Sequence, residues 1–230
     1  MLTEPLYQSK HTDTRYTALK SSSIREPGFE SHAHISDFPG MLRSFDRNAL
    51  IYAENDPATC FYRVVVGAVR SSKVLFDGRR QIAAFYLPGQ AFGVELCANR
   101  IFSTEAIVSS KLMVMRRNTL HSEHQDPDLL HRLYTMADGE LQRAQHRLTL
   151  LAKTAQERVA TFLLDLNDCG APGDLLQIPM PRQDIADYLG LTMETVSRVL
   201  SQLQDAALIS IPTCKQIVLR NRSALRRRAG

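Results

Sequence analysis

Apolar and polar positions change rhythm along the chain, and each rhythm predicts a different architecture. From Ala49 to about Met115, short β-rich runs alternate with turn residues. Phe61–Val66 stops at Gly67, Val69–Phe76 at Asp77-Gly78, and Gln81–Leu87 at Pro88-Gly89. Asp77-Gly78 between two such runs is a hairpin signal, because both central residues of a tight two-residue turn prefer positive φ. Ile107-Val108 and Leu112–Met115 continue the pattern, and many short strands with regular turns predict an antiparallel β-roll of the jelly-roll type. After Pro127 the period becomes helical. Tyr134, Ala137, Leu141, Ala144, Leu148, Leu151 and Ala155 recur in alternating steps of three and four, the heptad seam of a coiled coil. A stripe packed on the roll would share this period, but its unbroken alternation of Ala and Leu favours pairing with a second copy, so a homodimer is expected.

A further helix over about Gln156–Leu166 leads into Asn167–Gly173, a loop by composition, and Leu175–Ile178 reads as a strand. The stretch Arg182–Leu203 then reads as a short helix, a turn at Gly190 and a second helix with two unlike faces. Val196, Val199, Leu200 and Leu203 form one apolar stripe, while Glu194, Ser197, Arg198 and Ser201 repeat the same spacing with polar groups. Leu208–Ile211, a turn at Pro212–Lys215 and Ile217–Leu219 make a closing hairpin, completing a winged helix-turn-helix. The expected fold is α+β: a flexible segment (1–35), a β-roll (36–126), a dimerisation helix (127–155) and a winged helix-turn-helix with a basic C-terminal tail (156–230).

Such a helix can dock by one side and read DNA by the other. Thr192 can cap it, and Glu194 in its first turn suits the positive end of the helix dipole. In a major groove Arg198 can donate two bonds to guanine O6 and N7, and Glu194 can accept from cytosine or adenine amino groups. Ser197 permits close approach with a hydroxyl, and Met193 offers apolar surface to a thymine methyl. Arg182, Gln183, Thr192, Thr195 and Lys215 are candidate phosphate-backbone contacts. The ordinary alternative makes Glu194 and Arg198 a surface ion pair one turn apart; the helix-turn-helix context and following wing favour DNA.

Composition narrows the reading. The net charge of +4 is mild, but Arg220, Arg222 and Arg226–Arg228 crowd the C-terminus, which favours a polyanion. The sequence holds neither an apolar run of membrane length nor a signal-peptide pattern, so a cytoplasmic protein is expected. Cys60, Cys97, Cys169 and Cys214 lie far apart without metal-ligand spacing, and no metal is expected. Cys169 and Cys214, near the DNA-binding end, are redox candidates, since a sulfinate there would repel phosphate. His32-Ala-His34 could open a cupin-like metal site, but no second motif follows. Residues 49–115 hold no converging catalytic set, which argues against an enzyme.

The roll, the long helix and Thr192-Met-Glu-Thr-Val-Ser-Arg198 together resemble the CRP/FNR family of bacterial transcription regulators, over residues from about 40 to 220. Pro88-Gly-Gln-Ala-Phe-Gly93-Val-Glu95 is similar to the family's β-roll signature. The resemblance implies a homodimer on a palindromic DNA site that recruits RNA polymerase. Glu194, Ser197 and Arg198 match the FNR and FixK side of the family, and Met193 stands where CRP has arginine, which implies a TTGAT-type half-site. Cyclic-nucleotide binders carry Arg-Ser where this chain has Phe102-Ser103-Thr104-Glu105, and Glu105 would repel a phosphate. Residues 1–59 lack the cysteines of an iron-sulfur sensor. The likeness is therefore to the FixK-like branch, with no cofactor expected and a role in oxygen-limitation circuits. An effector-gated member, with haem on His121, His124 or His131 or with a small molecule in the roll, is the alternative.

Overall fold

The structure is a computed structural model that describes residues 40–95, 97–117, 127–169 and 173–230. The expected leader, His32, His34, His121 and His124 lie outside the described residues. Two four-stranded antiparallel sheets make the β-roll. One runs β1 (Met41–Phe45), β8 (Ser110–Arg116), β3 (Cys60–Val66), β6 (Ala91–Phe92); the other runs β2 (Leu50–Tyr52), β7 (Ser103–Ala106), β4 (Val69–Val74), β5 (Arg80–Tyr86). Alternation puts Tyr52, Tyr62, Val64, Val69, Tyr86, Phe92 and Leu112 inside. Phe92 is the hub, stacking on Tyr62 at 5.1 Å and Tyr86 at 4.8 Å between ring centroids.

Two strand expectations change. The β4–β5 hairpin forms, but its connection runs over Leu75–Arg79, with only Gly78 left-handed (φ 82°) among the turn residues. A hydrogen bond from Leu75 N to Arg79 O (2.8 Å) closes the longer loop, so the tight two-residue turn does not occur. Ile107-Val108 is a turn rather than a strand. The neighbouring strand is β7, whose polar Ser-Thr-Glu concealed it; Thr104 and Ala106 point inward.

The long helix α1 (Pro127–Leu151) is followed after three residues by α2 (Ala155–Cys169). The break is built by Thr154 and Glu157. Thr154 N donates to the Glu157 carboxylate (2.7 Å) and Glu157 N reaches Thr154 Oγ1 (3.4 Å), a reciprocal capping box. Arg158 secures the joint, donating to Lys153 O, Leu151 O and Leu189 O at 2.8, 2.6 and 2.9 Å. Ala155 is therefore not part of the long-helix seam. It opens α2 and packs against the protomer's own core.

The C-terminal unit contains β9 (Leu175–Gln177), α3 (Arg182–Leu189), α4 (Met193–Asp205), β10 (Ile209–Thr213), β11 (Gln216–Leu219) and α5 (Arg222–Arg228), with sheet order β10-β11-β9. One apolar cluster joins Leu150, α2, both helices of the turn motif and the wing to Ala68, Leu87 and Ile107 of the roll. The expected basic tail is instead helical. Leu225 and Ala229 are buried, Ala229 O accepts from Lys153 Nζ (2.6 Å), and Arg222 pairs with Asp174 (2.9 Å). Alternating arginines had hidden this short apolar face.

Candidate nucleic-acid interface

The two faces of α4 separate as its sequence requires. Val196, Val199, Leu200 and Leu203 are buried against α2 and α3, whereas Met193, Glu194, Ser197, Arg198 and Ser201 are exposed. Packing of α3 uses Ile185, Ala186 and Leu189, and Gly190 ends it in the left-handed region (φ 63°). Thr192 Oγ1 accepts from Thr195 N (3.2 Å), capping α4. The Glu194 carboxyl is held below its ordinary pKa, first by a hydrogen bond from its own backbone N–H and then by the Thr192 hydroxyl. It stays ionised as an acceptor at neutral pH. Among the described residues, the one ion pair a turn apart on a helix is Arg143–Glu140, so the surface pairing of Glu194 with Arg198 is not formed.

The flanking candidates differ in how free they are. Lys215 is exposed in the β10–β11 turn beside Cys214. Gln183 is exposed but donates to Asp187 (2.6 Å), and Thr195 Oγ1 lies 3.1 Å from Thr192 Oγ1. Arg182 is half-buried, and burial pulls its guanidinium below the usual range despite the nearby Cys214. The two redox candidates part company. Both are exposed, Cys214 at the wing and Cys169 at the end of α2, where its Sγ lies 3.6 Å from Gln90 Nε2 of the roll. Burial, then Asp165 and Asp168, push the Cys169 thiol up, away from the reactive thiolate. Cys169 thus stands beside the roll, whereas Cys214 stands on the wing.

On α1, Tyr134, Leu141 and Leu148 leave most of their side chains exposed. Ala137 and Ala144 are exposed as well and border a cavity of about 510 Å³ between α1 and the roll, lined also by Ala84, Tyr86, Phe102 and Glu95. Leu151 approaches the turn at Gly190, where an added Cβ would lie 3.5 Å from its side chain. His131 is exposed and does not line the cavity. Cations at the cavity are only partly engaged, since Arg143 Nε and Arg147 Nη2 are buried there without a hydrogen-bond partner. Lys73 pairs with Glu54 (2.6 Å), Arg143 with Glu140 (3.1 Å), and Arg147 donates to Ile82 O and Ala83 O. Buried Arg100 turns to Glu95 and Gly93 O, over the Tyr52 ring. Glu105, expected to repel a phosphate there, is absent from the cavity lining and is bound by Arg70 through two bonds.

Sequence reasoning missed Asp184, whose carboxylate is buried on α3 and held by arginines of β4 and β5. The available signal was Asp184, Asp187 and Tyr188 at i, i+3 and i+4, a second face on α3 unlike its apolar stripe. No group of three or more acidic, Cys or His side chains among the described residues could hold a metal, and no described helix is long and apolar enough to cross a membrane.

Residues 42–126 match the cyclic nucleotide-binding domain family, and residues 157–228 match the Crp-like helix-turn-helix domain. The chain is 46% identical over 190 residues to the nitrogen fixation regulation protein FixK of Azorhizobium caulinodans, covering 80% of this chain and 77% of that protein. The chain belongs to the CRP/FNR family. FixK of Rhizobium meliloti is 39% identical, across 82% of this chain and 87% of the relative. The solved structure of FixK2 from Bradyrhizobium japonicum superposes with a TM-score of 0.80 at 42% identity, over 84% of this chain and 98% of the other. As a CRP/FNR protein similar to FixK, it is a DNA-binding transcription regulator and not an enzyme.

Proposed function

We propose that this CRP/FNR protein is a homodimer that reads a TTGAT-type inverted repeat and recruits RNA polymerase, mainly as an activator of oxygen-limitation genes, nitrogen-fixation genes among them. The carrying observation is the exposed row Met193, Glu194, Ser197 and Arg198 on a capped helix whose opposite face is fully packed. Relatives named for nitrogen fixation regulation supply the physiological setting. Each protomer reads one half-site: Arg198 takes guanine, Glu194 takes an amino group, and Met193 packs on a thymine methyl. Arg182, Gln183, Thr192, Thr195 and Lys215 flank the phosphates. The exposed Tyr134, Leu141 and Leu148 supply the seam with a second copy. The protein acts in the cytoplasm, where its DNA lies, and without a bound cofactor.

The test is competition binding at one fixed salt concentration between TTGAT and TGTGA palindromes, using wild type and Arg198→Ala. Wild type is expected to prefer TTGAT, and the variant to lose specific binding while remaining a folded dimer. Equal protection of TTGAT by the variant would refute the assignment. The cavity of about 510 Å³ favours one second reading, a small effector held between the roll and α1. DNA binding by bare, reduced protein distinguishes the two, since an effector-gated protein stays weak until the molecule is added.

A further inference from the structure

α3 carries the buried carboxylate of Asp184, whose side chain is 2% exposed. Two arginines from the β-roll converge on it: Arg70 Nη1 donates to Oδ2 at 2.6 Å, and Arg80 Nη2 to Oδ1 at 2.5 Å. Arg80 also grips Asp187 one turn on, through Nε (2.9 Å) and Nη2 (2.7 Å). Arg70 completes the network by binding Glu105 of β7 through Nε (3.0 Å) and Nη2 (2.7 Å). Beside these charges Tyr188 of α3 packs 5.2 Å from Phe85 of β5 and 5.8 Å from Phe162 of α2, between ring centroids. The first helix of the reading motif is thus joined to the β4–β5 sheet by charge-assisted bonds on one side and rings on the other.

This joint bears on DNA reading because of what lies at each end. α4 follows α3 after Gly190, Leu191 and Thr192 and packs directly on it, so the setting of α3 determines the direction of Glu194 and Arg198. On the other side, Arg147 of α1 donates to Ile82 O and Ala83 O of the sheet holding Arg80, tying that sheet to the long helix. The reading face of α4 stays exposed while the network is closed. Met193 and Glu194 border an open groove with Leu75, Arg79 and Arg80, so the network sets the β4–β5 hairpin beside the start of the reading helix.

We propose that Asp184 is a positioning residue for DNA reading: clasped by Arg70 and Arg80, it sets the angle between the recognition helix and the long helix, and hence the half-site spacing the dimer accepts. The inference rests on the dimeric reading above. Two rigidly set recognition helices match one centre-to-centre distance, whereas loosened ones accept several.

The experiment measures binding of full-length protein to inverted repeats whose spacer varies in single base-pair steps, and to one isolated half-site. Wild type is compared with Asp184→Asn and the Arg70→Gln/Arg80→Gln pair, alongside Arg70→Lys/Arg80→Lys. The Lys pair guards against misfolding, since it keeps a positive charge on both sides of the buried Asp184. Wild type is expected to favour one spacing by about tenfold or more. The Asn and Gln variants reduce that preference below about threefold, with half-site affinity unchanged, and the Lys pair restores part of it. Uniform weakening at every spacing assigns Asp184 a merely structural role and overturns the proposal, as does an unchanged preference. Tighter binding at all sites also overturns it, because that marks a restraining contact. A wild type indifferent to spacing would overturn the dimeric reading itself, an outcome distinct from a variant that keeps a sharp wild-type preference.

Discussion

Truncating Leu148 to alanine separates the seam from the protomer core, because Leu148 and Leu150 lie on opposite sides of the same helical turn. Leu148 is 72% exposed in the protomer and Leu150 is 1% exposed, inside the cluster formed with α2 and the reading motif. Full burial of a leucine is worth about 1.5–3 kcal/mol. If pairing covers the exposed share of Leu148, each protomer gains roughly 1–2 kcal/mol and the two-fold dimer roughly 2–4 kcal/mol. Leu148→Ala should therefore weaken the dimer about 30- to 1000-fold, read by sedimentation velocity over a dilution series. Its melting temperature should fall chiefly at low protein concentration, as linked dissociation demands. Leu150→Ala should instead cost about 2–5 kcal/mol of folding stability through the cavity it leaves, at every concentration. A dimer dissociation constant within about threefold of wild type for Leu148→Ala would refute the seam, since the lost burial would then have no partner.

Three further outcomes are expected. Thr192→Ala removes the cap accepting from Thr195 N and should cost about 0.5–2 kcal/mol, seen by calorimetry as a lower melting temperature; no change would mean that the cap bond is not formed in solution. The Glu194 carboxyl has a folded pKa below its unfolded value, so its stabilising contribution is present above the unfolded value and is lost as pH falls through the folded one. Carboxyl-carbon NMR should find its midpoint below that of an ordinary glutamate, and a midpoint at or above that value contradicts the hydrogen-bonded start of α4. Gly67→Ala should destabilise far more than Gly78→Ala in denaturant titrations. Both are left-handed (φ 98° and 82°), a strain of roughly 1–2 kcal/mol for alanine, but only at Gly67 would the new Cβ meet Ser110, at 2.2 Å from Oγ and 2.7 Å from Cα.

Elements whose stabilising contacts are local were legible in the chain. The stripe Val196, Val199, Leu200, Leu203, the turn at Gly190 and the cap at Thr192 all follow from neighbours within a few residues, and each stands where its pattern placed it. The heptad count ran on to Ala155 because periodicity ignores a stop signal. The capping box of Thr154 and Glu157 was equally present in the sequence and ends the seam at α1. The arginines after Arg220 read as a tail because charge outweighed Leu225, buried on a helix that docks on α2, and Ala229, the buried residue that ends it.

The sequence by itself determined a β-roll, a long helix and a two-faced reading helix, because side-chain periods of two and 3.6 are properties of short segments. Only the tertiary structure decided how the reading motif is held. Asp184 lies 114 residues from Arg70 and 104 from Arg80, so its polar face on α3 shows in the sequence while the burial of its carboxylate does not. A buried charge is stable only where its counter-charges arrive from elsewhere in the fold, and that meeting is a property of the packed roll and helix together.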